Sequence, residues 1–112
     1  LKQTLQELQN EYDNGTILKV LDDNNRIIGS VRGYIENGTL YIGKLFVHPF
    51  WQGKGIGTKL LKEIEHTCPH NRCELFTSSK SAKNLQLYEQ VGYEIFKQQE
   101  VSNELTFIYL EK

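Results

Sequence analysis

Leu45-Phe46-Val47-His48-Pro49, followed by Gln52-Gly53-Lys54-Gly55-Ile56-Gly57-Thr58 and then Lys59-Leu60-Leu61-Lys62-Glu63-Ile64, is the stretch on which the fold turns. An extended apolar run feeds a glycine-rich turn, and the turn feeds an amphipathic helix. The first helical turn carries N–H groups without intrahelical partners, and the helix dipole adds partial positive charge there. Glycines remove the Cβ atoms that would hold an anion away from those N–H groups. Such a turn is a cradle for phosphate. Spacing separates the known cradles. A Walker loop requires Gly-Lys-Ser/Thr, but Gly57 is followed by Thr58-Lys59. The dinucleotide fingerprint G-x-G-x-x-G puts its third glycine on Thr58 when counted from Gly53, and on Leu60 when counted from Gly55. What remains is Gln/Arg-x-x-Gly-x-Gly/Ala, filled by Gln52, Gly55 and Gly57.

Working outward, the flanking segments have clear periods. Leu1, Leu5, Leu8 and Tyr12 are spaced as one face of a helix over residues 1–13, closed by Asn14-Gly15. Thr16–Leu21, Arg26–Ile35 and Leu40–Val47 read as three antiparallel strands. They are joined by the Asx-rich turn Asp22–Asn25 and the hairpin signal Asn37-Gly38. The glycine helix runs from about Gly53 to His66 and buries Ile56, Leu60, Leu61 and Ile64. Cys73–Thr77 is a short strand, and Ala82–Val91 a further helix with Ala82, Leu85, Tyr88 and Val91 on its apolar face. Gly92 ends that helix, and Glu94–Gln99 and Leu105–Leu110 are the last strands. The strands before and after the glycine helix should lie parallel, with the helix as crossover. The expected result is one α/β (α+β) domain over residues 1–112: a twisted, mixed, mostly antiparallel sheet with helices on both faces.

The composition excludes several functions. Thirteen basic and fourteen acidic side chains give a net charge of −1 over 112 residues, with no basic excess for nucleic acid. No apolar run approaches the roughly 20 residues of a membrane span, and no secretory leader is visible. Cys68 and Cys73 match no common zinc spacing, so no metal site is expected. Reduced thiols make a cytoplasmic setting the default.

Lys44 to Gly57, containing Val47-His48-Pro49 and Gln52–Gly57, resembles the acetyl-CoA motif of the Gcn5-related N-acetyltransferase (GNAT) family. Asn84-Leu85-Gln86-Leu87-Tyr88-Glu89-Gln90-Val91-Gly92-Tyr93 resembles the family's second signature, a helix end with the spacing N-x-x-x-Y-x-x-x-G-[FY] in this sequence. The resemblance implies transfer of an acetyl group from acetyl-CoA to a primary amine of a small molecule or peptide. It also implies that the two parallel strands splay and admit the pantetheine arm. The family usually begins with an earlier strand and helix, so these are expected to be missing from this chain. A homodimer through the last strands would be ordinary.

On that resemblance, the cofactor site comprises the cradle Gln52, Gly53, Lys54, Gly55, Ile56, Gly57 and Thr58, the arm-binding backbone of Leu45, Phe46 and Val47, and Asn84 and Tyr88 on the second helix. Lys54 and, less well, Lys59 would add charge near the phosphates. Tyr88 is implied as the acid that protonates the leaving thiolate; Tyr93 reads as packing. The amine poses a harder problem. An alkylammonium of pKa about 10.4 is only about 0.04% neutral at pH 7, a deficit of roughly 4–5 kcal/mol. Some family members place a glutamate base at the position of Tyr41, but no carboxylate occurs between Leu40 and Val47. Glu36 is too distant, and His48 is a weak candidate beside Pro49. A water relay, or a base from elsewhere, is the expectation. Two other functions stay open: an acyl-CoA sensor without chemistry, and transfer of a longer acyl group, which Phe46, Phe50 and Trp51 would restrict.

Overall fold

The computed structural model describes the backbone of residues 4–10 and 15–112, and side-chain surroundings from residue 15 onward. Seven strands form one sheet: β1 (Thr4–Asn10), β2 (Gly15–Leu21), β3 (Ile27–Glu36), β4 (Thr39–Val47), β5 (Arg72–Ser78), β6 (Glu94–Ser102) and β7 (Leu105–Glu111). Two helices, α1 (Ile56–Thr67) and α2 (Ala82–Val91), connect β4 to β5 and β5 to β6. The spatial order is β1-β2-β3-β4-β5-β7-β6. Every neighbouring pair is antiparallel except β4 and β5, which run parallel.

One expected element is overturned. Residues 4–10, placed in a helix by the leucine spacing, form β1, paired in register with β2 from Thr4↔Leu21 to Asn10↔Gly15. The ladder to β2 satisfies the backbone groups on one side of this edge strand, and that pairing outweighs a local apolar period. The remainder of that expected helix, residues 1–3 and 11–13, and its stop at Asn14 lie outside the described residues. The other strands and α2 fall within a few residues of their expected limits. Helix α1 begins at Ile56 rather than Gly53, because Gly53 and Gly55 both adopt positive φ and hold the turn open ahead of the helix.

Both helices lie on one face of the sheet, not one on each. Successive right-handed crossovers, β4 to β5 and β5 to β6, move in the same direction across the sheet and so deposit their helices on the same side. Ile56, Leu60, Leu61 and Ile64 of α1 join Leu18, Val20, Val31, Leu40, Ile42, Leu75, Ile108 and Leu110 of the strands in one buried cluster, which also takes in Tyr88 of α2. Each fully buried aliphatic chain contributes about 1.5–3 kcal/mol. Helix α1 comes very close to β3. A Cβ on Gly29 would lie 2.9 Å from Ile56, and one on Gly33 would lie 2.9 Å from Ile64 and 3.0 Å from Leu40. The opposite face carries no helix among the described residues.

Two irregularities shape the centre of the sheet. The β3–β4 register moves from Arg32↔Gly43 to Ser30↔Phe46, so β4 holds one extra residue there, a bulge in which Lys44 takes a φ of 53°. The β4–β5 pairing lasts for only three positions, Thr39↔Arg72, Leu40↔Cys73 and Tyr41↔Glu74, and then the strands part.

Candidate functional site

The chain after the bulge builds the site. Beyond Tyr41 no strand among the described residues pairs with β4 on its β5 side, so the backbone from Gly43 to Val47 borders an open gap. At the end of β4 the chain makes a single 3-10 turn, Pro49–Trp51, capped by His48, whose Nδ1 accepts the Phe50 N–H at 3.1 Å. The Gln52 side chain then donates from Nε2 to the Val47 carbonyl at 3.1 Å and ties the glycine turn to the strand end. Gly53 (φ 77°) and Gly55 (φ 83°) follow in the left-handed region, and a Cβ built on either would meet no atom within 4 Å. The space in front of the turn is free, and the bare N–H groups of the α1 N-terminus open into it. That geometry fits a phosphate group: conformations only glycine adopts easily, and no side chain in the approach.

The gap and the turn belong to one cleft of about 610 Å³. Its β4 wall is Leu45, Phe46 and Val47, its floor Gln52, Gly53, Gly55, Ile56, Gly57 and Thr58, and its far wall the α2 residues Lys83, Asn84, Leu87 and Gln90. The structure therefore brings together ten of the twelve residues expected from the sequence. Asn84 also donates to Thr77 Oγ1 of β5 at the long distance of 3.5 Å, linking α2 to the strand beside the gap.

Two of the twelve, Lys54 and Tyr88, do not line this cleft: Lys54 is exposed on the turn and Tyr88 is buried behind the wall, and the less favoured Lys59 is absent from the lining as well. The cation on the wall is Lys83. Its signal was present in the sequence: Lys83, Asn84, Leu87 and Gln90 share the helical face next to the apolar stripe of α2. Tyr88, one turn after Asn84, is buried in the core edge-on to Tyr93, with ring centroids 6.2 Å apart. Burial raises its pKa above the ordinary tyrosine value. The phenol is therefore protonated at neutral pH.

Tyr93 is bound up in structure. Its hydroxyl donates to Glu65 Oε2 at 2.8 Å, and Lys112 Nζ holds the other oxygen at 2.9 Å. Burial, reinforced by Glu65, drives its pKa far up. His48, a weak candidate base, uses Nδ1 to cap the 3-10 turn and lines a separate hollow with Phe50 and Trp51. Phe50 is thus removed from the cleft, whereas Phe46 and Trp51 remain on its wall. Cys68 and Cys73 are both free thiols buried in the core. Among the described residues, no group of three or more His, Cys, Asp or Glu is placed to hold a metal ion, and no helix is long and apolar enough to cross a membrane.

Comparison with known proteins agrees with this geometry. The model of the acetyltransferase (GNAT) family matches residues 2–93. An IAA acetyltransferase from Bacillus cereus superposes with a TM-score of 0.84 at 20% identity, covering 98% of each chain. An acetyltransferase from the same organism gives a TM-score of 0.78 at 25% identity, over 88% of this chain and 71% of that one. A GNAT-family acetyltransferase from Staphylococcus aureus Mu50 gives 0.75 at 20% identity, over 90% and 70%. No curated protein matches the sequence.

Proposed function

We propose, on the premise that this chain belongs to the acetyltransferase (GNAT) family and is therefore an acetyl-CoA-dependent acyltransferase, that it acetylates a primary amine by direct attack on the bound thioester. The observation that carries the proposal is the union, in one cleft, of a parted strand pair and a glycine turn at its end. The N–H groups from Gly53 to Thr58 hold the pyrophosphate, and Lys83 adds charge from α2. Leu45 to Val47 offer backbone hydrogen bonds to the amide-bearing arm, as a strand edge does for an added strand. An N–H near Phe46 or Val47 polarises the thioester carbonyl and holds the developing oxyanion.

The amine nitrogen attacks the carbonyl carbon, the C–S bond breaks, Tyr88 gives its proton to the leaving sulfur, and the proton that the acylated nitrogen loses restores the tyrosine through solvent. Acid assistance of this kind contributes about 10²–10⁴ in rate. The elevated pKa of Tyr88 suits the role, since the donor must arrive protonated. With no carboxylate on β4 and His48 engaged as a cap, the ammonium proton leaves through water.

The test is calorimetry with coenzyme A together with thiol release from acetyl-CoA over a panel of amines. The expected result is micromolar association and amine-dependent thiol release, with Tyr88→Phe losing at least 100-fold in kcat when chemistry limits the rate. Absence of any heat with coenzyme A would sink the assignment. Binding without thiol release from any amine would favour the sensor, and turnover with propionyl- or succinyl-CoA above that with acetyl-CoA would favour longer acyl transfer.

A further inference from the structure

Gly57 differs from the two glycines before it. Gly53 and Gly55 have positive φ and open space where a Cβ would stand; Gly57, the second residue of α1, has neither. Its backbone is ordinary helix, in which alanine is the better residue. Conformation therefore does not call for a glycine here, but space does. A Cβ on Gly57 would lie 3.0 Å from Leu87 Cδ2 of α2 and 3.7 Å from Val47 Cγ2 at the end of β4. Ordinary contact at such a carbon begins at 3.4 Å, so Leu87 would have to give by a few tenths of an ångström.

Three walls of the cofactor cleft meet at this point. Val47 belongs to the β4 wall, Gly57 to the floor and Leu87 to the α2 wall. Leu87 is half-buried and packs against the core cluster, with Val47 on the far side of the contact, so it has little room to swing away. Its seat decides where the cleft side of α2 rests. Tyr88 is the one buried residue of that helix, and Asn84 reaches Thr77 Oγ1 only at 3.5 Å. Tyr88 directly follows Leu87 in the same turn. Packed interiors are stiff and pass small displacements on. A shift at Leu87 is thus a shift at the phenol.

We infer that Gly57 and Leu87 are positioning residues: their contact holds α2 at the separation from α1 at which the Tyr88 hydroxyl meets the leaving sulfur. The inference rests on the reading of Tyr88 as the acid and adds what aims it. The turn's pattern admits glycine or alanine at this position, and in this chain Leu87 fills the room an alanine would need. Gly53 and Gly55 leave the approach open for phosphate, whereas Gly57 leaves room for α2. Alanine at 57 keeps the backbone N–H, so the phosphate loses no donor while the acid is misplaced. A misplacement of about 1 Å costs on the order of 10² in rate, so a few tenths of an ångström corresponds to about tenfold.

The experiment is a double-mutant cycle on the full chain, with ethylamine, phenethylamine and spermidine as acceptors. Single-turnover thiol release at saturating acetyl-CoA reads the chemical step, and calorimetry reads coenzyme A affinity. Circular dichroism checks that each variant is folded, and hydrogen exchange of the amides of residues 82–91 follows α2 without any acceptor. Gly57→Ala should slow the step by about tenfold while coenzyme A affinity changes less than threefold, and α2 should exchange faster. In the Leu87→Ala background, where the crowding is gone, Gly57→Ala should change the rate and the exchange less than threefold. In the Tyr88→Phe background it should also change the rate less than threefold, because the group being aimed is absent. An unchanged rate in Gly57→Ala, a loss confined to coenzyme A affinity, or a tenfold loss that persists beside Leu87→Ala would overturn the inference. So would a tenfold loss that persists beside Tyr88→Phe. Full turnover in Tyr88→Phe itself would instead remove the acid reading beneath it, and thiol release from none of the amines in the wild type would remove acetyl transfer.

Discussion

Gly55 and the two tyrosines of the second motif show how much rests on single side chains. Gly55 sits at φ 83° with open space where its Cβ would be. In Gly55→Ala the left-handed backbone costs about 1–2 kcal/mol, and the new methyl stands where a phosphate must approach. The expected outcome is a modest fall in Tm with a drop of at least tenfold in coenzyme A affinity by calorimetry; an unaltered affinity would show that the turn is not the phosphate seat. Tyr88 and Tyr93 should respond in opposite ways to the same change. Tyr93→Phe removes the hydroxyl bonded to Glu65, a charged acceptor, at a cost of about 1.5–3 kcal/mol in urea unfolding, with kcat unmoved. Tyr88→Phe should leave stability within about 1 kcal/mol and reduce kcat, because no protein partner of its hydroxyl is seen among the described residues.

Among the elements, α1 and β3 fit closely. The helix can rest so low on the sheet because Gly29 and Gly33 have no side chains. Gly33→Ala would push a methyl to within 2.9 Å of Ile64 and 3.0 Å of Leu40, both fully buried. Overpacking of this kind costs about 1–3 kcal/mol, and the measurement is the shift in urea midpoint at constant m-value. If stability rose instead, the helix would have room to lift. The same lift would move the N-terminus of α1 relative to β4, so coenzyme A affinity should fall together with stability. The element order from β2 onward was legible from local pattern, since turns such as Asp22–Asn25 and Asn37-Gly38 punctuate strands whose apolar residues alternate. Asp22 shows the mechanism: its carboxylate accepts the N–H groups of Asn24 and Arg26 and the Arg26 guanidinium, and those bonds hold its pKa below the usual value. Residues 4–10 were misread because an apolar spacing compatible with a helix says nothing about a partner strand elsewhere in the chain.

The described residues form a one-sided sandwich: a seven-stranded sheet with two helices on one face and an aromatic, charged surface on the other. Its buried ionisable groups predict an alkaline limit. Burial raises the pKa values of Cys73, Tyr88 and Tyr93 above those of the unfolded chain. Groups with raised folded pKa values stabilise fully below the unfolded values, and that contribution fades as pH rises through them. Stability should hold near neutrality and fall from about pH 8.5, where a free thiol begins to ionise, and more steeply past about pH 10, where free tyrosines do. Tm measured from pH 7 to 11 tests this, and a flat profile would contradict the burial of these three groups.

Local chemistry was enough to specify the glycine turn, the helix it starts, the second helix and its Asn84–Tyr88 spacing, because caps, turns and periodicity act over a few residues. Ten of the twelve expected cleft residues follow from that local order. Long-range pairing was needed for the rest. It made a strand of Thr4–Asn10, put both helices on one face, chose Lys83 over Lys54 for the cleft wall, and set Glu74 opposite Tyr41 where two strands separate. The first depends on pairing with the next strand, five to seventeen residues away, which an apolar period does not report; the others depend on contacts between segments tens of residues apart, which no short window of sequence contains.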